Sequence, residues 1–432
     1  MKMTKTARRR EIAAALSILL FFAAAFCFRI AASASDGAAP SAAAESAESL
    51  VSDRDASGLY DASAAVTLAP GDDLTITAAG VYILSGSYEN QMLLVQAGDE
   101  DKVQIVLNNA HLSNADGPAI LIRSADKVFL TAAEGSENSI SDGSGYSLTE
   151  GDTAVDAAVF SKADLTLNGS GSLSVTGNTK HAVVSKDDLV VTAKNLSVSS
   201  AASALTGKDA VTLSDASVSI TAGTDGIHSE GTVTVLGGSL TVRCGDDAVH
   251  ADGRADIAGG TVTLDAAEGI EATYVLIRSG DISIQASDDG INAAYKSDAC
   301  TPTVEITGGN LTVNMGAGDT DGIDSNGNLI ITGGTVSVNG SSAFDYDGAV
   351  TFTGGTVYVN GQQVTEITGQ FMGGMGGMGG FGGPGGQGGM GGHGGFGTPP
   401  DMSGDFPSDF GGQPPFGPRG GQGGPGSFGA DA

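Results

Sequence analysis

The sequence predicts an all-β protein folded as a right-handed parallel β-helix, a solenoid of coils of about 22 residues each. Three observations predict it. An apolar position recurs at nearly constant spacing, and short runs of alternating Thr and Val lie between Gly-Gly and Gly-Asp turns. No segment between residues 64 and 368 has a helical period. Three short strands per repeat leave no room for a hairpin meander, so a stacked coil is the fold that fits.

The repeated apolar position defines the register of the coils. It falls at Val159, Val183, Leu205, Ile227, Val249, Ile270, Ile291, Ile323 and Phe344. The intervals are 24, 22, 22, 22, 21, 21, 32 and 21 residues, which indicates one insertion of about ten residues around Lys296 to Thr303. A less regular stretch from Val66 onward is predicted to form the first coils and their cap. A β-sandwich does not predict such a repeat, and a propeller blade is about twice as long.

The two ends of the chain differ from the middle in composition. A basic start, an apolar run over 12–28 and Ala32-Ser33-Ala34 predict a signal peptide over residues 1–34 and an extracellular or cell-surface protein. An uncleaved anchor is the alternative, since this run is close to the ~17 residues that span a bilayer. We expect a disordered Ala/Ser/Glu-rich spacer over 35–63, the β-helix over 64–368 and a flexible tail over 369–432. The tail, with 28 Gly and 8 Pro in 64 residues, is a candidate for contact with cell wall or other copies.

The charge balance limits the partners. Fifty acidic against 20 basic residues give a formal charge of -30, and removal of the leader, with six Lys/Arg and one Glu, gives -35. Nucleic acid is therefore excluded as a partner, because phosphate contacts need clustered cations. No membrane insertion of the mature domain is expected. Cys27 lies in the leader, which leaves Cys244 and Cys300 either as one disulfide or, since they lie about two coils apart, as separate thiols.

Acidic side chains recur at fixed places in the register. The corner row, two residues before the repeated apolar position, contains Asp225, Asp247, Glu268, Asp289 and Asp321. The outer row, one residue after it, contains His228, His250, Glu271, Asn292, Asp324 and Asp345. Further acids adjoin at Asp246, Asp288 and Asp319. In a β-helix these positions stack one strand spacing apart, ~4.8 Å.

Such stacked carboxylates need a counter-charge. Two of them ~5 Å apart repel by about 1 kcal/mol in water and roughly 3 kcal/mol at an effective dielectric of ~20. Only Lys296 is nearby in the register, so we predict Ca²⁺ bound between coils by these oxygens. Two alternatives stay open: Asp-Gly as plain turn chemistry, and a softer metal such as zinc at His228 and His250.

A second group of residues suggests ligand contacts. Lys162, Lys186 and Lys208 stand three residues after the repeated apolar position in consecutive coils. They are candidates to bind an acidic ligand, or else they are solvated lysines paired with nearby aspartates. Tyr274 and Tyr295 match one coil apart and are predicted as a stacked pair beneath a sugar ring, with packing at the core edge as the alternative.

These features resemble a known family. The coils Asp225-Gly226-Ile227-His228, Asp289-Gly290-Ile291-Asn292 and Asp321-Gly322-Ile323-Asp324, the T-G-G turns, the signal peptide and the Gly-rich tail are similar to those of the secreted carbohydrate-binding β-helix proteins of clostridia and relatives. The resemblance implies a calcium-containing β-helix that binds cellulose-like and polygalacturonate-like polysaccharides without cleaving them. Its shape resembles pectate-type lyases. Of the family's site residues, only the acidic calcium positions can be carried over.

Three functions follow as expectations. The first is a secreted or cell-surface calcium-binding protein that binds polysaccharides and has no catalytic residues. The second is a pectate-type lyase, in which calcium acidifies the proton next to a uronate carboxyl group and Lys296 removes it. A lyase is expected to place more than one cation around its calcium cluster, which this sequence does not. The third is a structural or adhesive surface protein.

Overall fold

A computed structural model describes residues 50–72, 74–147, 154–316 and 320–368. Its two helices, α1 (Asp53–Ser57) and a 3-10 helix (Ala62–Ala64), are short and precede the first strand. Everything else within these ranges is strand, turn or loop, which confirms the all-β prediction. None of the described helices has the length and apolar character of a membrane span.

The strands are short because each coil turns three times. The first coils contain β1 (Val66–Leu68), β2 (Thr75–Ile76), β3 (Gly80–Glu89), β4 (Leu93–Gln96), β5 (Lys102–Asn114), β6 (Ile120–Ser124), β7 (Lys127–Ala132) and β8 (Glu137–Asp142). The regular coils begin with β9 (Ala157–Ser161), β10 (Asp164–Gly169), β11 (Ser172–Gly177), β12 (His181–Ser185), β13 (Asp188–Val191), β14 (Asn195–Ser200), β15 (Leu205–Gly207), β16 (Ala210–Leu213), β17 (Ala216–Ala222), β18 (Ile227–Ser229), β19 (Thr232–Val235) and β20 (Gly238–Arg243).

The later coils continue in the same way, and two of their strands are long enough to turn a corner. They contain β21 (Asp247–Ile257), β22 (Thr261–Ala266), β23 (Glu268–Ile277), β24 (Asp281–Ala286), β25 (Ile291–Ala293), β26 (Thr303–Ile306), β27 (Asn310–Met315), β28 (Asp321–Ser325), β29 (Asn328–Ile331), β30 (Thr335–Asn339), β31 (Ser342–Tyr346), β32 (Val350–Phe352), β33 (Thr356–Val359) and β34 (Gln362–Val364).

These strands form the three faces of a parallel β-solenoid of about 12 turns. Sheet 1 contains β2, β4, β6, β9, β12, β15, β18, β25, β28, β31 and the first halves of β21 and β23. Sheet 2 contains β1, β7, β10, β13, β16, β19, β26, β29, β32, the first halves of β3 and β5 and the second halves of β21 and β23. Sheet 3 contains β8, β11, β14, β17, β20, β22, β24, β27, β30, β33, β34 and the second halves of β3 and β5. Every described pairing is parallel except that of β33 with β34.

The predicted register is confirmed at each repeated apolar position. Val159 pairs with Val183, and the pairing continues coil by coil to Phe344. The core consists of such rows of stacked aliphatic side chains. One row on sheet 2 is buried throughout and contains Ile105, Leu130, Leu167, Val191, Leu213, Val235, Ile257, Ile277, Ile306 and Ile331. Apolar burial of this kind stabilises the fold with few aromatic residues in the core.

The Asp-Gly-Ile motif has a steric cause. A Cβ on Gly226 would stand 2.4 Å from Cγ1 of Val242, and one on Gly290 would stand 2.3 Å from Cγ1 of Val313. Sheet 3 therefore approaches sheet 1 too closely for any side chain at this position. The acid before the glycine belongs to the outer surface, and this fixes the corner row there.

The predicted disorder of the spacer is wrong for its last residues. Helix α1 is capped by Ser52, whose Oγ accepts a hydrogen bond from the Asp55 amide. Asp55 is buried, and its Oδ1 lies 2.8 Å from Nζ of Lys127 and accepts a hydrogen bond from Thr166. A buried carboxylate requires hydrogen-bonding and charged partners, and Lys127 and Thr166 of sheet 2 provide them for Asp55. The segment therefore docks on sheet 2 instead of staying free. The leader, most of the spacer and the tail lie outside the described residues.

Candidate functional site

The two predicted rows lie side by side on the outer surface of sheet 1. Strand register stacks the outer row as His228, His250, Glu271, Asn292, Asp324 and Asp345. In the corner row Asp247 pairs with Glu268. Amide hydrogen bonds from Gly269 to Asp289 and from Gly290 to Asp321 extend that row. The sequence therefore located both rows correctly.

His250 joins both rows through one ring nitrogen. Its Nδ1 lies 2.6 Å from Oδ2 of Asp247 and 2.9 Å from Oε2 of Glu271. Its Nε2 lies 3.2 Å from Oδ1 of Asp252. On the far side, Nζ of Lys296 lies 2.6 Å from Oε1 of Glu271. The carboxylates of Asp247 and Glu271 are almost wholly buried, so these contacts operate away from water.

This network shifts the pKa values of His250, Glu271 and Asp247. Burial alone would lower the pKa of His250, but its hydrogen bonds to Asp247 and Glu271 raise it to about 10. Burial would raise the pKa of Glu271, but hydrogen bonds from His250 and Lys296 hold it below its usual range. Burial and the nearby Glu271 charge raise the pKa of Asp247, although His250 opposes this. At neutral pH the imidazole of His250 is therefore protonated and lies between the carboxyl groups of Asp247 and Glu271.

The expectation that these acids lack positive partners is wrong for the middle coils. The sequence places Lys296 near the acidic rows, and its side chain extends to Glu271 in the preceding coil. The reason lies in the insertion, which begins just after β25. There the Lys296 amide donates to Oγ1 of Thr273, 3.1 Å away, and ties the segment back toward the earlier coil.

The first members of the rows are histidine-rich. The rings of His228 and His250 stack with centroids 4.7 Å apart and an interplanar angle of 7°. Nδ1 of His228 lies 3.0 Å from Oδ2 of Asp225, and Oγ of Ser203 lies 3.1 Å from the same oxygen. Burial would raise the pKa of Asp225, but the His228 hydrogen bond keeps it below its usual range. Here too the acid has a nitrogen partner.

Among the described residues, the last members of the rows have no cationic partner. We call Asp289, Asp321, Asp324 and Asp345 the acidic segment. No ion pair within the described ranges involves them. Burial, followed by the charges of Asp289 and Asp345, raises the pKa of Asp324 to about 7. Burial and the charge of Asp288 raise the pKa of Asp289, although a hydrogen bond from the Asp321 amide, 3.0 Å away, opposes this. Within the segment, the carboxylates of Asp289 and Asp324 therefore resist ionisation.

Glu268 lies between the network around His250 and the acidic segment. Burial, with the charges of Glu271 and Asp247, raises its pKa to about 8. Its Oε2 accepts a hydrogen bond from Nδ2 of Asn292, 3.1 Å away. Two of the three remaining predicted acids differ from the cluster in burial. Asp246 and Asp288 are exposed, and Asp319 lies outside the described residues.

The three lysines stack as predicted, each exposed at the corner after sheet 1. The amides of Lys162, Lys186 and Lys208 donate to the coil before, which fixes the stacking. Nζ of Lys208 lies 3.3 Å from Oδ1 of Asp209, and Nζ of Lys186 lies 5.8 Å from the ring centre of Phe160.

Acids accompany this lysine corner. Carboxylate oxygens of Asp164, Asp187 and Asp188 all lie within 4.8 Å of one another. Burial, followed by the charges of Asp164 and Asp187, raises the pKa of Asp188 to about 6. The corner therefore presents both signs of charge.

The predicted pairing of Tyr274 with Tyr295 is wrong. Tyr274 pairs in register with Thr303, is 7% exposed, and donates its hydroxyl to Glu305. Tyr295 is 66% exposed in the insertion. The cause is the position of the insertion: it leaves the solenoid after sheet 1 and carries Tyr295 with it, and the chain returns to sheet 2 at Thr303, which stacks on Tyr274.

The cysteines are not joined to each other. Sγ of Cys244 lies 3.8 Å from the Asp246 carbonyl oxygen, and burial raises the pKa of the thiol to about 11. The second of the two alternatives, separate thiols, is the one the structure has.

Sheet 3 carries a surface that the sequence analysis missed. The hydroxyl row is the outward position at the middle of ten successive strands, and every member has a hydroxyl group. It contains Ser139, Ser174, Ser197, Ser219, Thr241, Thr263, Ser283, Thr312, Ser337 and Tyr358. A shallow groove of about 640 Å³ follows its first half. The signal was in the sequence, as Ser or Thr in the third strand of each repeat.

The hydroxyl row is long and uncharged. Nine spacings of ~4.8 Å give it a length of about 43 Å. No member carries a charge, although the protein as a whole has a formal charge of -30. Most of its members are exposed, because the residues between them point into the core.

These polar rows run along the outer faces of a parallel β-solenoid. The family model of the carbohydrate-binding domain-containing proteins matches residues 70–274 and 267–364, more than half of the chain. The chain therefore belongs to this family, and the resemblance seen in the sequence is confirmed.

Two individual proteins are similar to parts of the chain. A carbohydrate-binding domain-containing protein of Acetivibrio thermocellus is 31% identical over 129 residues, which cover 30% of this chain and 45% of the relative. The match thus spans less than half of that relative. A solved structure of the polysaccharide lyase-like protein from C. thermocellum, a gadolinium derivative, covers 69% of this chain and 94% of its own, at 22% identity and a TM-score of 0.32.

Proposed function

We propose that this protein is an exported, non-catalytic binder of polysaccharides, held outside the cell or at its surface. The observation that carries the proposal is the hydroxyl row, which offers an elongated polar face to an elongated polar polymer. Family membership supports the ligand class. The leader in the sequence supports the location.

The hydroxyl row suits a neutral, cellulose-like chain. Serine and threonine hydroxyls both donate and accept hydrogen bonds, as sugar hydroxyls do. Sites that repeat along a rigid solenoid let many weak contacts act together without a large entropic cost for ordering the protein. An uncharged row also avoids the cost of removing water from ionised groups.

Acidic, polygalacturonate-like chains need a different contact, and we propose calcium for this role. Within the described residues no protein cation pairs with the acidic segment, and the segment offers the hard oxygen ligands that Ca²⁺ prefers. A bound ion would relieve the repulsion among Asp289, Asp321 and Asp324. It could also share its open positions with uronate carboxylates. Lys162, Lys186 and Lys208 are proposed as secondary contacts to the same groups.

We favour binding over β-elimination because of the state of Lys296. A general base must be neutral to accept a proton. The ion pair with Glu271, 2.6 Å away, raises the pKa of Lys296 and keeps it charged, although burial opposes this. Its side chain is also occupied by that pair, so it is not available to a substrate.

Sedimentation with insoluble cellulose, and affinity electrophoresis in polygalacturonate with and without Ca²⁺, test the proposal. We expect retention by cellulose in either condition, retention by polygalacturonate only with Ca²⁺, and no rise in the ultraviolet absorbance of unsaturated uronides. Release of such uronides would instead identify a lyase. A lack of retention by both polymers would point to a structural or adhesive role.

A further inference from the structure

We propose that Asp247, His250 and Glu271 form a binding site for a divalent transition-metal ion of the Zn²⁺ type, separate from the calcium proposed at the acidic segment. The three side chains come from two consecutive coils and are buried or nearly so. One oxygen from each acid and Nδ1 of the imidazole lie within 4.8 Å of one another. A compact set of one nitrogen and two carboxylate oxygens suits such an ion.

The orientation of the imidazole supports the site. Nε2 of His250 lies 3.2 Å from Oδ1 of Asp252, so this nitrogen donates its hydrogen to that acid. Nδ1 then faces two carboxylate oxygens, at 2.6 and 2.9 Å. Three electron-rich atoms this close require a positive centre among them, which is either one proton or a metal ion.

A carboxylate behind the ligating histidine is a common feature of metal sites. Such an acid fixes the ring orientation and makes the free nitrogen a better ligand. Asp252 occupies this position relative to His250. The metal would replace the proton at Nδ1, so its binding releases one proton.

The neighbouring side chains also favour an additional cation. Oδ1 of Asn292, which follows Glu271 in the outer row, is buried without a hydrogen-bond partner in the part of the chain that the structure describes. Lys296 pairs with Oε1 of Glu271 and leaves Oε2 directed at His250. Glu268, in register with Asp247, adds a further acid. Four acids, Asp247, Asp252, Glu268 and Glu271, thus surround the side chains of Lys296 and His250.

A nitrogen ligand separates this site from calcium chemistry. Ca²⁺ is bound by six to eight oxygen atoms, whereas imidazole is a typical ligand of zinc, cobalt and nickel. The histidine is therefore the residue that selects the ion. Millimolar Ca²⁺ should not displace a metal bound here.

The test uses the full exported chain, with Zn²⁺ in calorimetry and Co²⁺ in visible absorption, both in excess Ca²⁺. We expect one ion per chain and a Co²⁺ absorption band that Zn²⁺ removes. His250→Asn and Glu271→Gln should each weaken binding by at least about tenfold, and Asp252→Asn by about tenfold through the ring orientation. Lys296→Gln should tighten it, because a positive neighbour is lost.

His181→Asn is the matched control. This histidine lies on sheet 1 with its Nε2 3.7 Å from Asp156 but outside the site, and its loss should change the affinity less than about threefold. Circular dichroism checks that each variant is folded. If His250→Asn does not fold, the affinity of Asp252→Asn decides the test. Absence of stoichiometric binding by the parent chain overturns the proposal, as does equal affinity in the His250, Glu271 and Asp252 variants.

Discussion

Nζ of Lys296 and Oε1 of Glu271 lie 2.6 Å apart, which ties the ten-residue insertion to the solenoid. The lysine side chain is 33% exposed and the glutamate only 7%. The pair therefore closes one end of a buried network that continues through His250 to Asp247.

Replacing Lys296 by Met should destabilise the protein. Glu271 would keep its burial but lose one partner, at a cost of about 1 to 3 kcal/mol, in the lower part of this range because the lysine is one-third exposed. Urea unfolding in a chelator measures the change. Lys180→Met, which removes a pair with Asp156 that is half exposed, is the control and should cost less than about 1 kcal/mol. Equal costs would contradict the role given to the network.

Stability should fall as pH rises through the alkaline range. The folded pKa of His250 is about 10 and the unfolded value about 6.5. The folded chain therefore binds this proton more tightly, so the contribution is complete below pH ~6.5 and is lost as pH rises through ~10. Urea midpoints between pH 6.5 and 10, in a chelator, should decline more steeply for the parent than for His250→Asn. Parallel slopes would rule out His250 as the source.

Calcium should raise the melting temperature through the acidic segment. An ion that binds only the folded state stabilises it by about 2.7 kcal/mol at a hundred times its dissociation constant. Asp324→Asn and Asp289→Asn should remove most of this increase, and each should melt higher than the parent in chelator because the repulsion is smaller. Asp188→Asn, in the lysine corner, should leave the calcium effect unchanged. An identical calcium response in all three variants would contradict the assignment.

The docked helix α1 should contribute substantially to stability. Asp55 is 2% exposed and pairs with Lys127, so Asp55→Ala leaves Lys127, whose side chain is 15% exposed, without its carboxylate partner. We expect a loss of about 3 kcal/mol in the free energy of unfolding. Asp53→Ala, on the exposed side of the same helix, should cost less than about 1 kcal/mol. A small effect of Asp55→Ala would show that the segment docks only weakly.

Local periodicity made the fold predictable. Because a solenoid repeats one contact pattern, the spacing from Val159 to Phe344 was enough to give the register of sheet 1. The same spacing located both polar rows. The stacking of the lysines followed from it as well.

Contacts that break the repeat were not predictable in this way. The insertion after β25 moved Lys296 to Glu271 and separated Tyr295 from Tyr274. The docking of Asp55 depends on Thr166, 111 residues away in the chain. The contacts of His250 Nδ1 with Asp247 and Glu271 depend on side-chain torsion angles, which the spacing of residues in the sequence does not determine.

Retention by insoluble cellulose of a variant with Ser197→Glu and Ser219→Glu tests most directly whether the hydroxyl row binds the polymer. Both serines are exposed and stack on each other in sheet 3, so the fold should tolerate the change. We predict at least about tenfold weaker binding, equivalent to ~1.4 kcal/mol, and a melting temperature lowered only by the repulsion between the two glutamates, about 1 kcal/mol in water. Thr332→Glu, exposed at the corner after β29, should bind as the parent does. Undiminished binding by the double variant, while the parent is retained, would contradict the proposed binding face.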